Sequence, residues 1–328
     1  MRRSLAKSAV LFGILTLVAA GCSSRTLGLT ALTPPGDSTR TRQQIRSWIS
    51  PQASRQDLLY IADPDAGGIQ IRSYSAPKYR LLGLISPLPQ YGYPSLCVNK
   101  EQEIFATGGG TIFEFKHGAT SPFRILGGLS GPTYGCAVDN TTGTLAVTND
   151  VGSPRIGEVA LFKKNHGTHT SIQLPSAAGR CAYDSSGNLF VASGVAGSSV
   201  LELPKNKKQF IEIKLNKTFS EFGAGGIFWD GTYLDIADFE KNVIYQFAIA
   251  GKKGTSMNTI VLQRSYNMAS FFVEGSTLIV PAFSSPSPGS PPGPGLVNLY
   301  NYPAGGKKTG VIRGVSYPWS VVVSLAKM

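Results

Sequence analysis

The sequence predicts an all-β fold built from repeated four-stranded units, and three observations support this prediction. Short apolar runs end in polar turn residues spaced 40 to 50 positions apart: Asn99, Asp139, Asp184, Asp230, Glu274 and Ser324. The segments that follow, such as LFVAS and LDIAD, are rich in Val, Ile and Phe, which favours strands over helices. The chain also has 38 Gly and 21 Pro with only 15% charged residues, a composition typical of turn-rich proteins.

Each unit contains four predicted strands. The first strand precedes the polar turn, and the second strands end at similarly spaced positions: Asp63, Thr107, Thr148, Ser193, Asp238 and Pro281. Third and fourth strands follow, as in TIFEFKH and FRILGG. Gly231 and Gly275 lie at predicted tight hairpins, where glycine supplies a positive φ.

The two ends of the repeat region complement each other. Residues 317–324 (YPWSVVVS) provide only a first strand, whereas residues 57–72 provide later strands without a first one. Because an open sheet edge invites aggregation, we expect the two segments to pair. The sequence therefore predicts an all-β six-bladed β-propeller, closed by pairing the C-terminal strand with the N-terminal blade. A solenoid is the alternative, but solenoids need polar caps at both ends.

The repeated motif, an apolar strand, an Asp turn and then LFVAS or LYIAD, resembles the six-bladed NHL-repeat and gluconolactonase-like propellers over residues 57–324. The resemblance implies the fold more than an activity, because propellers host many functions. Gluconolactonase-type propellers hold a divalent metal with acidic and amide side chains just before the inner strands. The corresponding positions here carry no such side chain: Pro94, Tyr134, Gly179, Gly225, Ala269 and Trp319. Since hard cations need several oxygen ligands, we predict no metal and no cofactor.

The first residues predict export and lipid attachment. Residues 1–21 combine a basic start with an apolar stretch too short for a comfortable membrane span, which is typical of a secretory signal. The sequence AAGC at 19–22 resembles the lipobox of bacterial lipoproteins, so Cys22 is the predicted lipidation site and membrane anchor. An ordinary signal peptide is the alternative. Residues 22–46 form a predicted flexible tether and 47–328 the propeller, with Trp48 and Ile49 as its first packing contacts.

Three cysteines remain beyond Cys22, an odd number that excludes a complete disulfide framework. Cys136 and Cys181 occupy the same slot in successive inner strands, one residue out of phase with Cys97. We interpret all three as small buried apolar side chains, with a Cys136–Cys181 disulfide as the alternative.

Lysines collect in the turn between the third and fourth strands of each unit, which in a propeller lies on the face opposite the usual binding funnel. They are Lys78, Lys116, Lys163, Lys164, Lys205, Lys207, Lys208, Lys252, Lys253, Lys307 and Lys308. Removing the three basic residues of the signal from the formal net charge of +12 leaves +9. The lysine ring suits an anionic envelope polymer or lipid headgroups, or it simply solubilises the hairpin tips. Nucleic acid is a poor partner because the lysines are not interleaved with stacking aromatics.

The sequence predicts no catalytic residue. It contains no G-x-S-x-G motif, and no Ser-His-Asp set can be placed on one face. The histidines lie in or near third-to-fourth strand turns: His117, His166 and His169. Three aspartates follow strands at the funnel side, and we interpret them as turn caps rather than as a metal or acid/base site: Asp63, Asp150 and Asp238.

Aromatic residues dominate the loops that enter the inner strands: Tyr91, Tyr93, Tyr134, Phe219, Phe222, Tyr266, Tyr317 and Trp319. They suit a sugar, a peptide or a small aromatic ligand, or else they pack between blades and plug the channel. Arg180 is the one charged residue at its slot, and it either grips an anion near the axis or pairs with a neighbouring carboxylate. The Pro- and Ser-rich segment 283–295 either arches over the funnel or presents a partner-binding strip.

Together these features predict a monomeric, membrane-anchored, extracytoplasmic module that binds a small ligand or protein partner at its funnel and is not an enzyme. A lactonase-like hydrolase with a non-standard metal site is one alternative. An envelope scaffold that docks through its lysine rim is another.

Overall fold

The computed structural model describes residues 46–86, 94–151, 156–192, 197–220, 223–265, 267–282 and 295–327. Cys22 and most of the tether lie outside these residues, as do the segment 283–294 and four funnel candidates: Tyr91, Tyr93, Phe222 and Tyr266. Residues 44–328 form one compact unit. Within the described ranges, no helix has the length and apolar character needed to cross a membrane.

The regular secondary structure of the described chain is almost entirely strand, with short 3-10 turns at Ala53–Arg55 and Pro64–Ala66. In chain order the strands are β1 (Trp48–Ile49), β2 (Leu58–Asp63), β3 (Gly68–Ser73), β4 (Leu81–Ile85), β5 (Ser95–Val98), β6 (Ile104–Gly108), β7 (Thr111–Phe115), β8 (Arg124–Leu126), β9 (Thr133–Val138), β10 (Leu145–Val151), β11 (Ile156–Phe162), β12 (His169–Gln173), β13 (Cys181–Tyr183), β14 (Leu189–Ala192), β15 (Ser199–Leu203), β16 (Ile211–Leu215), β17 (Ala224–Trp229), β18 (Leu234–Asp238), β19 (Val243–Ala250), β20 (Lys253–Val261), β21 (Phe272–Glu274), β22 (Thr277–Ala282), β23 (Leu296–Asn301), β24 (Gly305–Ile312) and β25 (Ser320–Ser324).

The strands form antiparallel meanders, as the four-strand repeat predicts. Strands β5–β8, β9–β12 and β21–β24 make three four-stranded sheets. Strands β13–β16 and β17–β20 make two further meanders, which join into one eight-stranded sheet through a short parallel pairing of β16 with β20. The prediction of an all-β fold is confirmed, and the arrangement is propeller-like.

The remaining sheet combines segments from distant parts of the chain in the order β1-β4-β3-β2-β25. Strand β25 pairs antiparallel with β2, from Leu58 opposite Ser324 to Ala62 opposite Ser320. The Asp63 carboxylate reinforces this pairing, because it accepts the backbone N–H groups of Ser316 at 2.7 Å and Tyr317 at 2.9 Å. The predicted first packing segment, Trp48–Ile49, pairs with the outer strand β4.

The polar turn residues perform the local role predicted for them. The Asp230 carboxylate accepts the backbone N–H groups of Thr232 at 2.7 Å and Tyr233 at 2.6 Å. Gly231 has a φ of +100° and Gly275 a φ of +56°, so both hairpins use the backbone region that glycine favours.

The cysteine interpretation is wrong, because Cys97 and Cys136 form a disulfide with Cα atoms 5.8 Å apart, and Cys181 is buried and free. Alternate residues of a strand face opposite sides of its sheet. Residues in the same slot of successive inner strands therefore point toward the same side of their sheets and cannot meet. The one-residue offset of Cys97 turns its side chain toward Cys136, whereas Cys181 packs near Ala137 and Ala146 on the far side of the β9–β12 sheet.

The lysines of the first five repeats lie in or next to third-to-fourth strand turns, as predicted, but Lys307 and Lys308 lie within β24. Ten of the eleven are exposed, and Lys308 is half-buried. Two of them form ion pairs with residues of first-to-second strand turns: Lys116 with Glu103, and Lys164 with Glu101 at 2.9 Å. Both kinds of turn therefore lie on one face of the molecule, which we call the lysine face.

Candidate functional site

A cavity of about 360 Å³ lies where the first strands of the meanders converge. Six strands supply its wall: β5, β9, β13, β17, β21 and β25. Its volume falls in the range of about 300–1,000 Å³ that is typical of small-molecule sites. The cavity is therefore large enough to hold a small organic ligand.

The floor of the cavity is polar and is centred on Arg180. Its guanidinium donates to the Ser95 hydroxyl at 2.8 Å and more weakly to the Trp319 carbonyl at 3.4 Å, so it reaches from the β13 segment to β5 and β25. The Ser270 hydroxyl donates to the same Trp319 carbonyl at 3.0 Å. Ser320 completes the layer, because its hydroxyl accepts the Leu96 N–H at 3.0 Å.

Glycine permits the strands to approach closely at this floor. A Cβ atom on Gly135 would lie 3.0 Å from the Arg180 Cα atom, and one on Gly226 would lie 2.6 Å from a ring carbon of Phe271. Both distances are shorter than ordinary contacts, so larger residues would displace the neighbouring strand. Gly135 therefore helps to fix where the Arg180 backbone sits, and Gly226 does the same for Phe271.

The mouth of the cavity is aromatic and lies where the first strands end. Four half-buried rings line this end: Tyr183, Phe228, Trp229 and Phe272. Phe228 and Phe272 pack edge to face with centroids 5.7 Å apart, and the Trp229 indole donates to the Ser185 hydroxyl at 2.9 Å. Strand β21 begins near the floor and ends at the mouth. Ser270 at the floor precedes Glu274 at the mouth by four positions, which corresponds to a cavity depth of about 13 Å.

The mouth opens on the lysine face. The rings of the mouth precede the first-to-second strand turns, and those turns contact the lysine-bearing turns. Lys205, for example, donates its backbone N–H to Asn188 at 2.9 Å and its ammonium group to Thr141 at 3.0 Å. The lysine turns and the cavity mouth thus share one face, opposite the loops that enter the first strands. At its other end the described wall of the cavity finishes at the Arg180 layer.

Among the described cations, Arg180 alone lines the cavity, and the residue is half-buried there. Desolvation lowers the pKa of its guanidinium to about 10, so the side chain still carries its charge at neutral pH. None of the four ion pairs among the described residues includes Arg180, and its bonds go to a hydroxyl and a carbonyl. The structure therefore places a half-buried cation at the cavity floor without a carboxylate partner from the described part of the chain.

Of the predicted funnel residues, only Arg180 lines this cavity among those described. Tyr317 and Trp319 pack edge to face with centroids 5.4 Å apart in the segment that enters β25, and Tyr134 is half-buried in β9. Phe219 is buried in the core against Tyr245. The described aromatics of the funnel loops thus do not form the cavity wall.

The aspartates interpreted as caps do act as caps. Asp63 and Asp238 each accept several backbone N–H groups, and the Asp150 carboxylate accepts the Ala178 N–H at 2.8 Å. His117 bridges the Ser324 hydroxyl and the Gln56 carbonyl, which is a structural role. Among the residues with described positions, no group of three or more His, Cys, Asp or Glu side chains is placed to hold a metal ion.

A second polar cluster joins two neighbouring sheets away from the cavity. The Tyr302 hydroxyl lies 2.8 Å from the Asp230 carboxylate and 2.6 Å from the Asp235 carboxylate. Burial, with a smaller contribution from the Asp230 charge, raises the pKa of Asp235 to about 7. Because one hydroxyl proton cannot serve two carboxylates, the cluster favours a protonated Asp235 that donates to Tyr302.

Sequence reasoning missed the residues of the cavity mouth. In the sequence pattern alone, four residues are simply apolar ends of inner strands: Tyr183, Phe228, Trp229 and Phe272. The signal was present in RCAYD, IFWD and FFVE, where aromatic side chains cluster at the last positions before the turns. A ring placed there reaches the channel rather than the interior of one sheet.

The chain matches no protein-family model and no curated protein sequence. Its fold is similar to that of several solved structures. A chain of a nidogen/laminin complex, whose nidogen part is a β-propeller, is 10% identical with a TM-score of 0.64, and the match covers 83% of this chain and 100% of that chain. A protein of unknown function from Bacteroides caccae is 13% identical with a TM-score of 0.61, covering 82% of this chain and 99% of that one.

A functionally unknown protein from Desulfotomaculum acetoxidans is 12% identical with a TM-score of 0.55, and the match covers 82% of this chain and 99% of that one. At these identities the similarity concerns the fold alone. It supports a β-propeller-like fold for the strand-rich region.

Proposed function

We propose that residues 47–328 form a closed six-bladed β-propeller related to the NHL-repeat and gluconolactonase-like propellers. The repeat spacing supports six blades, and so does the cavity wall, to which six first strands contribute. The pairing of β25 with β2 supports closure, since it joins the two ends of the repeat region in one sheet.

The propeller is proposed to be an extracytoplasmic module, anchored to a bacterial membrane through lipid on Cys22. The apolar stretch followed by AAGC supports this location, and the Cys97–Cys136 disulfide is typical of proteins in oxidising compartments. Replacing Cys22 with alanine should release the protein from the membrane fraction, because the acyl chains would be lost. Unchanged fractionation of the variant would contradict the lipid anchor.

The proposed activity is non-enzymatic binding of a small ligand in the central cavity. The observation that carries this proposal is the cavity itself, with rings at its mouth and a polar floor. Flat aromatic faces bury apolar ligand surface, while a few polar groups orient the ligand. The geometry therefore favours entry from the lysine face rather than from the funnel loops.

Binding of 1-naphthamide, a neutral aromatic probe, tests this activity. We expect saturable binding with one site per chain by calorimetry. Trp229→Ala should weaken it by about 3- to 10-fold, because an aromatic contact contributes about 0.5–1.5 kcal/mol. Trp48→Ala is the matched control, since Trp48 is 46% exposed in β1 and does not line the cavity. The absence of saturable binding, or equal effects of the two variants, would contradict a cavity site.

The lysine rim supports this proposal as an electrostatic feature. Nine exposed lysines lie in or next to the turns on the face of the mouth, and a cluster of this kind attracts anions. Docking of this face on an anionic envelope polymer is a second proposed interaction, and it would place the cavity mouth against that polymer.

A further inference from the structure

The cavity floor contains a charge that the described protein leaves uncompensated. Arg180 is half-buried at the floor of a cavity to which six strands contribute, and its two bonds go to the neutral Ser95 hydroxyl and Trp319 carbonyl. A partly desolvated charge without a partner of opposite sign has a free-energy cost, which a ligand that supplies that partner would offset. Exposed cations of the same face find carboxylates, as Lys116 and Lys164 do with Glu103 and Glu101.

The surroundings of the guanidinium specify the remainder of the ligand. Ser95 and Trp319 occupy part of its five-donor fork, and among the described lining residues the remaining N–H groups are the cationic donors of the floor. Toward the mouth the rings of Phe228 and Phe272 add apolar wall, and Glu274 lies at the mouth itself. A ligand with an anionic end at the floor and a flat apolar body near the mouth therefore fits the cavity.

We propose that the cavity binds a small organic acid, with its carboxylate or a similar oxyanion on Arg180 and its apolar body between the rings of the mouth. This inference rests on the proposed function, since it names the ligand class of the same site. The lysine rim attracts the anion, and Arg180 selects it after the water of the cavity is displaced.

The test uses a matched pair of probes, 1-naphthoate and its neutral isostere 1-naphthamide, measured by calorimetry on the whole protein in 0.15 M salt. Salt screens the exposed lysines much more than the half-buried Arg180. The wild-type protein should bind 1-naphthoate at least 10-fold more tightly than 1-naphthamide. Arg180→Met should abolish this preference by lowering 1-naphthoate affinity at least 10-fold.

Three variants serve as controls. Lys205→Gln removes a charge from the same face outside the cavity and should leave the preference intact. Arg180→Gln keeps a donor for Ser95 and should also abolish the preference, so the test holds if the methionine variant folds poorly. Glu221 is an acidic residue outside the described positions, just before β17 in the sequence. Glu221→Gln should not change 1-naphthoate affinity.

The outcomes separate the two proposals. Failure of both probes to bind overturns the proposed function and this inference with it. Equal affinities of the two probes, unchanged by Arg180→Met, overturn the organic-acid inference while the binding function stands. A tenfold gain in 1-naphthoate affinity in Glu221→Gln would show that the protein itself neutralises Arg180, which also contradicts the inference.

A stability measurement distinguishes ligand binding from a structural role of the arginine. In ligand-free protein, Arg180→Met should unfold at the same temperature as wild type or higher, because it removes a desolvated charge. Adding 1-naphthoate should raise the unfolding temperature of wild type only. A variant that is less stable without ligand would assign Arg180 a structural role instead.

Discussion

Replacing Cys97 and Cys136 with alanine should lower the free energy of unfolding by roughly 4 kcal/mol, because the disulfide closes a loop of 39 residues in the unfolded chain. This effect is large compared with the net stability of about 5–15 kcal/mol of an ordinary domain. The bridge also joins the first strands of two neighbouring sheets beside the cavity. Its loss should therefore weaken the contact between those sheets first.

Urea unfolding of wild type and the double variant measures this effect. Cys181→Ala is the control, since Cys181 is buried but free, and its substitution removes only one small side chain. Digestion without reduction should yield a linked peptide containing Cys97 and Cys136. A loss of less than about 1 kcal/mol, or a linked peptide containing Cys181, would contradict the assigned bridge.

Replacing Asp235 with asparagine should stabilise the protein by roughly 2–4 kcal/mol at pH 8 and have little effect near pH 4. In wild type the pKa of Asp235 is raised to about 7 by burial, assisted by the charge of Asp230. The asparagine amide can donate to the Tyr302 hydroxyl as the protonated carboxyl does. The substitution therefore keeps the hydrogen bond and removes the cost of ionisation.

The direction of the pH dependence follows from proton binding. An unfolded Asp titrates near 3.9, whereas folded Asp235 titrates at about 7. Between these values the folded protein holds a proton that the unfolded chain has released, so the free energy of unfolding falls as the pH rises through this window. The raised pKa of Asp235 thus lowers the free energy of unfolding by its full amount above pH 7 and not at all below pH 4.

Urea unfolding of both proteins at pH 5, 6.5 and 8 measures the difference. Asp65→Asn is the matched control, because Asp65 is exposed and its substitution should give the same small change at each pH. If Asp235→Asn destabilises the protein equally at all three values, Asp235 is ionised in the folded state and the proposed protonation is wrong.

Much of the fold could be predicted from sequence because its signals are local. The turn at Asp230 depends on one carboxylate and one glycine, and strands such as LFVAS depend on side chains a few positions apart. The same signals recur in each repeat, so aligning the repeats predicts which strands pair within each meander. The pairing of β25 with β2 was also predictable, since each end of the repeat region lacks what the other supplies.

The disulfide could not be read from the repeat alignment in the same way. Cys136 and Cys181 occupy equal slots in successive inner strands, and this correspondence makes a disulfide between them look plausible in the sequence. Contact between neighbouring sheets requires opposite faces, and hence a one-residue offset such as that of Cys97. The offset was visible in the sequence, but its consequence depends on how the sheets face each other.

The cavity was missed for a related reason. Aromatic residues in the loops before the inner strands suggested a site on the funnel side, whereas the cavity opens at the opposite ends of those strands. In the sequence, apolar residues such as Phe228 and Phe272 cannot be told apart from residues of the hydrophobic core. Only the convergence of six strands shows which of them border a channel, and which charge, that of Arg180, lies at its floor.

A crystal structure of the whole protein soaked with 1-naphthoate tests the central claim most directly. The account predicts the probe in the central cavity, with its carboxylate about 2.7–3.0 Å from the Arg180 guanidinium and its rings beside Phe228 and Trp229. A probe bound among the funnel loops or only to surface lysines, with the cavity empty, would contradict it.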